Sequence, residues 1–313
     1  MRKALLLLLL VALCCPTACT VESEGAAEGN ITVRVVATLD FGDEVLVDNT
    51  ISVAPGTCAM DAVRQVADVG TKYGGGFVQS VNGIESGKST ELDWFLFLNG
   101  FMSNKGAANC RVRDGDIIQL DFHDWRFRTF IPATIGAFPE TLLYGFEVDA
   151  RPAAVAYEPG LADCAERLAT ALEQLGVEVA FVGQCTELAQ QDKEYCNLLV
   201  IGTPDCPMVS EMNDKWDRMG FFVHFQDGVM TVHDATGEVA AEYGAGSGVI
   251  QATQNPWNSK GTGVCENVAA MLAGTDEAGI RSAVNALADN LDLLRLAFAA
   301  VVVDGTIVRV PEK

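Results

Sequence analysis

The apolar positions first follow a period of two. In ITVRVVATL (31–39), Ile31, Val33, Val35, Ala37 and Leu39 share one face, with Thr32 and Arg34 on the other, the pattern of a half-buried strand. EVLVDNTISV (44–53) reads as its partner. The period then lengthens in PGTCAMDAVRQVADVG, where Ala59, Ala62, Val63 and Val66 form a helical stripe. Thr57 is placed to cap that helix, Asp61 lies in its first turn and Gly70 stops it. Strands return at GFVQSVNGIE (76–85), at LDWFLFLNG and, after the Asp114-Gly115-Asp116 turn, at IIQLDF (117–122). The Asn-Gly pairs are hairpin signals. Strands around a single helix predict a compact α+β domain over residues 31–126.

Residues 127–151 hold no clear period and read, with their prolines, as a connector. From Ala153 the pattern becomes strand–helix–strand. AAVAY is a short apolar run, and Leu161, Cys164, Ala165, Leu168, Leu172 and Leu175 mark a helix face. VEVAFV and NLLVIG are strands separated by a helix-sized gap, and VMTVHD, GVIQATQ and NVAAMLAG follow. A last helix starts at Thr275-Asp276-Glu277 and carries the stripe Ile280, Ala283, Val284, Leu287 and Leu291. Apolar strands without alternation belong in a sheet covered on both faces. Residues 152–313 are therefore expected to form a small α/β layered domain.

The first residues change the picture of where the chain works. MRKALLLLLLVALCCPTAC joins a basic start to a short apolar run and a small-residue site, the composition of a secretory signal over residues 1–18. Thr17-Ala18-Cys19 suits a bacterial lipoprotein cleavage site, although Pro16 stands where Leu is usual. Cys19 is expected to carry lipid, followed by an acidic, Gly/Ala-rich tether (19–30); the alternative is plain secretion. An extracytoplasmic, membrane-anchored protein follows. At 313 residues and 49% hydrophobic content, there is enough chain for about two cores. A formal charge of −21, with no basic cluster, excludes nucleic acid as a partner.

Outside the cell, cysteines pair. Beyond Cys19 the chain carries Cys58, Cys110, Cys164, Cys185, Cys196, Cys206 and Cys265. Cys58 and Cys110 are the candidates for a bridge in the first domain. In the second, Cys196 and Cys265 each precede a strand and Cys185 and Cys206 each follow one, which favours those two pairs. Cys164 is left on a helix face as the free thiol. No CxxC or Cys/His spacing points to a metal.

In DWFLFLNGF, alternation sends Trp94, Leu96 and Leu98 one way and Phe95, Phe97 and Asn99 the other. Trp94 is assigned to the core, and the Phe95/Phe97 side needs a cover: the helix, a neighbouring domain or a ligand.

The order apolar-PGT, helix, GFVQSVNGIESG, DWFLFLNG, CRVRDGDIIQLDF resembles the C-terminal domain of transcobalamin-type proteins, whose bacterial members form a domain of unknown function. The signature is carried by Trp94, Phe95, Phe97, Asn99, Gly100, Val112, Gly115, Asp116 and Ile118, within about a third of the chain. The resemblance implies a module that closes over one face of a cobalamin-like ligand. The helical domain that holds the other face in those relatives has no counterpart here. NLLVIGTP and LAGTDEAGIRSAVNAL resemble instead the α/β domains of some surface-layer and exported proteins.

Catalytic patterns do not emerge. GAGSG (244–248) precedes a strand rather than a helix, so it is no dinucleotide loop, and Ser247 lacks the glycine of a nucleophile elbow. His224 and His233 lie on strands around a QDGVM turn, where a shared face would let them bind a metal or a cobalt ion, or leave them merely exposed. His123 lies beside Asp124 and Trp125 at the end of the first domain, a place open to a ligand contact that no further signal supports. Two function classes remain. One is a non-enzymatic binding protein with no cofactor of its own, holding a flat organic ligand such as a corrinoid at Phe95, Phe97, Asn99, Gly100, Phe101 and Trp125. The other is an envelope scaffold whose partner is a protein, such as a transporter.

Overall fold

The computed structural model describes residues 29–73, 76–87 and 90–312. The signal segment, Cys19 and the tether as far as residue 28 lie outside the described residues. No described helix is long and apolar enough to cross a membrane.

The chain is β-rich and built from several sheets. In the first half, β1 (Ile31–Leu39) and β2 (Glu44–Val53) form an antiparallel hairpin. After α1 (Ala59–Val63), β3 (Val69–Lys72), β4 (Phe77–Val81) and β5 (Ile84–Glu85) make a small sheet. β6 (Leu92–Leu98), β7 (Phe101–Met102) and β8 (Ile117–Asp124) complete the main one, in the order β2-β1-β8-β6-β7. β1 and β8 run parallel and β6 antiparallel to β8. Both Asn-Gly pairs are two-residue hairpin turns, with φ of 48° and 84° at Asn82-Gly83 and 50° and 79° at Asn99-Gly100, the left-handed pair such a turn requires.

The helix expected here is much shorter than its stripe. α1 holds 5 residues. Cys58 stands at its N-cap with no side-chain bond, because the Thr57 hydroxyl donates to the Ala54 carbonyl at 2.6 Å instead. A single uncapped turn does not propagate. Val66 still packs on the core, but Gly70 sits inside β3 rather than stopping a helix. Strands, not one central helix, organise this half.

The expected connector is interior structure. Ile131, Ala133, Ile135, Ala137 and Phe138 are buried, Ala133 bridges Phe101, and α2 (Glu140–Tyr144) follows. The Ile135 N–H donates to the Phe298 carbonyl at 3.3 Å, joining this segment to the far end of the chain. Its apolar residues obey no period because they fill a seam between two sheets rather than one face of an element.

The second half contains β9 (Ala153–Tyr157), α3 (Ala162–Gln174), β10 (Val179–Gln184), α4 (Gln190–Tyr195), β11 (Asn197–Gly202) and α5 (Pro207–Asn213). A three-stranded sheet of β12 (Val223–Gln226), β13 (Val229–His233) and β14 (Val239–Tyr243) follows. β15 (Gly248–Gln254), β16 (Val268–Gly274), α6 (Glu277–Asp289), α7 (Leu291–Leu294), β17 (Ala299–Val303) and β18 (Thr306–Val310) close the chain. The large sheet has the order β10-β9-β11-β16-β15-β17-β18. Its first 4 strands are parallel and the rest antiparallel. Leu168 and Leu172 of α3 and Ile280, Ala283, Val284 and Leu287 of α6 are buried over one face. The other face is covered by α5, the three-stranded sheet and side chains from the first half: Phe41 and Phe97 are buried there, and Phe95 and Met102 pack against the same cluster.

GAGSG has a packing role. A Cβ on Gly248 would lie 2.1 Å from the Gly279 carbonyl oxygen, so β15 and the first turn of α6 touch only because both residues are glycine.

Candidate functional site

Alternation along β6 holds. Trp94 faces the first-half core, tilted against Phe122 at 5.2 Å, and its indole N–H donates to the Ile84 carbonyl at 2.9 Å. Phe97 faces the opposite way and is 0% exposed, with its ring 5.3 Å from that of Phe298. Of the three possible covers, the neighbouring half of the chain is the one present.

Most of the expected ligand contacts are consequently internal. Asn99 is fully buried: its amide donates to Asp116 and to the Gly145 carbonyl, both at 2.8 Å, and its side-chain oxygen accepts from the Ile117 N–H at 2.7 Å. That set leaves nothing for a ligand amide. Burial pushes the Asp116 carboxyl above its ordinary range against these donors. Gly100 is hemmed in by Thr141 and Thr134, and Phe101 packs on Phe146 at 6.2 Å. The structure thus moves Phe97, Asn99, Gly100 and Phe101 from a binding face into the core.

Phe95 and Trp125 remain half-buried. Phe95 stacks on His123 at 4.3 Å, and Phe41 covers the other face of that imidazole at 4.4 Å. His123 Nδ1 lies 2.6 Å from Asp121, which also accepts from the Thr38 hydroxyl at 2.5 Å and from the N–H groups of Phe41 and Gly42. These bonds fix the imidazole edge-on and hold Phe95 in place. Beside Phe95 opens a groove of about 210 Å³. Phe77, Trp94, Phe95, Leu96 and Met102 form its apolar wall, and Asp93, Ser103 and Lys105 its polar rim. Trp125 donates to Asp93 at 2.8 Å and so braces that rim. Phe77, Met102, Ser103 and Lys105 carry no motif, and only the fold brings them to β6.

A second aromatic cluster was legible only as two histidines. Trp216 stacks on His224 at 4.2 Å and on His233 at 4.8 Å, with the Arg128 guanidinium 4.5 Å from the indole centre. Neither histidine stands free on a strand: both rings stack on Trp216. A buried guanidinium beside them, pushed down to about 10 by desolvation, opposes a metal cation there. His224 is held below its ordinary 6.5 by burial, and further by His233 and Arg128. With the folded value below the unfolded one, its contribution is complete above about 6.5 and is lost as pH falls below that. Thermal melts between about pH 7.5 and 5.5 are expected to show a smaller acid-side fall for His224→Gln than for the natural sequence; equal falls would clear His224 of that role.

All seven described cysteines carry free thiols, so none of the three expected bridges is formed. Cys185 and Cys206, one of the expected pairs, have sulfurs 3.4 Å apart. The Cys185 thiol holds Cys206 down to about 7, while Cys185 itself is pushed up by the same contact. A thiolate beside a thiol is the arrangement from which an added oxidant closes a bridge. With glutathione disulfide as oxidant, non-reducing peptide maps are expected to find Cys185–Cys206 first. Complete alkylation of both after that treatment would contradict the assignment.

Residues 56–124 match a family described as a domain of unknown function, DUF4430. Among solved structures, the chain is similar to haptocorrin in complex with Cbi, at 14% identity and a TM-score of 0.27, over 30% of this chain and 25% of haptocorrin. It is also similar to a protein from Ruminococcus gnavus described as metal binding, at 23% identity and a TM-score of 0.24, over 31% of this chain and 98% of that one. The aligned part thus spans about a quarter of haptocorrin's own length. No curated protein matches.

Proposed function

We propose that the chain is an exported, lipid-anchored binding protein, without catalytic activity, whose β6 groove captures a small organic ligand. The groove beside Phe95 carries this reading, because there the aromatic hairpin is only half covered and keeps an open apolar wall. Its volume of about 210 Å³ lies below the roughly 300–1,000 Å³ of sites that enclose a ligand. It therefore grips one edge or arm of a larger molecule. The apolar wall takes the flat part, while Asp93 and Ser103 accept hydrogen bonds from amides at its margin. A corrinoid fits that description and is the first ligand to try, in keeping with the resemblance of residues 31–126. Cys19 would supply the anchor and a membrane transporter the partner that receives the ligand.

The burial of Phe97 and Phe101 favours a second reading, an envelope scaffold in which the aromatics serve only as core. Absorbance spectra of the full chain after incubation with cobalamin, cobinamide or haem and exhaustive dialysis separate the two. Retained corrinoid bands are expected from the binding protein; spectra without any of the three chromophores would leave the scaffold.

A further inference from the structure

A larger groove, of about 600 Å³, lies between α1 and β3. Arg64, Lys72 and Arg111 line it, against Asp61 as the one carboxylate, and Tyr73 forms a wall. Three cations around one cavity are unexpected in a chain with a formal charge of −21.

The other described cations of residues 31–126 are already engaged. Arg34 pairs with Asp48, Lys105 with Glu147, Arg113 with Asp149 and Arg126 with Asp124. In the groove, Arg64 has only a long contact with Asp61, at 3.9 Å with both side chains exposed, which cancels little of its charge. Among the described residues, no carboxylate lies within ion-pair distance of the Lys72 or Arg111 side chain. The Arg111 guanidinium is oriented by a bond to the Gly56 carbonyl at 2.7 Å. Unspent positive charge is thus concentrated at one concave place, where walls of low dielectric focus its field.

Tyr73 adds a second feature. It is 88% exposed and has a φ of 54°, a conformation that bulky residues rarely adopt. Its ring meets Phe77, part of the β6 groove, edge-on at 6.3 Å. An exposed aromatic ring beside spare cations recognises an organic anion: the ring lies against its apolar part while the guanidinium and ammonium groups take its oxygens.

We propose that this groove is a binding site for a small organic molecule bearing clustered oxyanions, phosphate or carboxylate, with Arg64, Lys72 and Arg111 as its cationic contacts. It is distinct from the β6 groove and stands whether or not that groove binds a corrinoid. The test is calorimetric titration of the full chain, at low ionic strength, with inorganic pyrophosphate and with citrate. Saturable binding of at least one is expected, falling steeply as salt is added. Whichever binds tighter tells a phosphate site from a carboxylate site. The R64Q/K72Q double variant alters exposed side chains and should keep the far-ultraviolet circular dichroism of the natural protein. It is expected to weaken binding at least tenfold, and Phe95→Ala to leave it unchanged. No saturable heat with either anion, or equal affinity in the double variant, would overturn the proposal. Anion binding without corrinoid binding would count against the β6 reading alone.

Discussion

Phe97→Ala is expected to lower the stability of the full chain by about 3–5 kcal/mol, the range for emptying a packed phenylalanine site. Phe97 is 0% exposed, and its ring lies edge-on to Phe298, which also meets Phe41 and His123 edge-on. Truncation opens a cavity on the seam between the two large sheets, where neither sheet can move inward without losing its own register. Phe298→Ala should behave alike, and the double variant should lose less than the sum of the two because both empty the same space. Urea melts of the three variants check this. Phe97→Ala melting with the natural protein would mean that the seam is not packed as described.

Asn99→Ala should cost about 3 kcal/mol or more, although it removes only a few atoms. Alanine cannot replace the donors to Asp116 and Gly145 or the acceptor for Ile117, and a buried group that loses its partner pays its full desolvation. It would also have to adopt the φ of 50° that asparagine tolerates. Asn99→Asp keeps the backbone preference but sets a second carboxylate against Asp116, whose own charge burial already disfavours. Both variants should unfold at lower urea than the natural chain. An Asn99→Ala midpoint within error of it would remove the turn from the set of structural anchors.

The division of β6 into two faces was legible because alternation is a local property, and it placed Trp94 and Phe97 on opposite sides as found. What covers Phe97 was not legible. Its partner Phe298 lies about two hundred residues further along the chain, and nothing in either segment marks the other. The same distance hid the buried role of Asn99. Read locally, Asn-Gly is a turn and the amide is free for a ligand; in the fold, Asp116 and Gly145 reach it first. The segment 127–151 failed for a different reason. Its apolar residues fill an irregular seam, and period is informative only where a regular element presents one face. The α1 stripe misled because burial of Val66 does not require helix once the single turn lacks a cap. Phe95 alone of the expected ligand residues lines the groove, with Trp125 bracing its rim through Asp93.

The central claim, that Phe95 forms part of a binding site while Phe97 holds the fold, is tested most directly by calorimetric titration of cobinamide into the natural protein and into Phe95→Ala. Saturable heat is predicted for the first. Affinity weaker by about 1–3 kcal/mol is predicted for the second, the worth of a buried aromatic contact, with a stability loss of about 2–3 kcal/mol, below that of Phe97→Ala, from the half-buried ring and its stack on His123. Equal affinity in the two proteins, or no heat from either with cobinamide, cobalamin or haem, would contradict it.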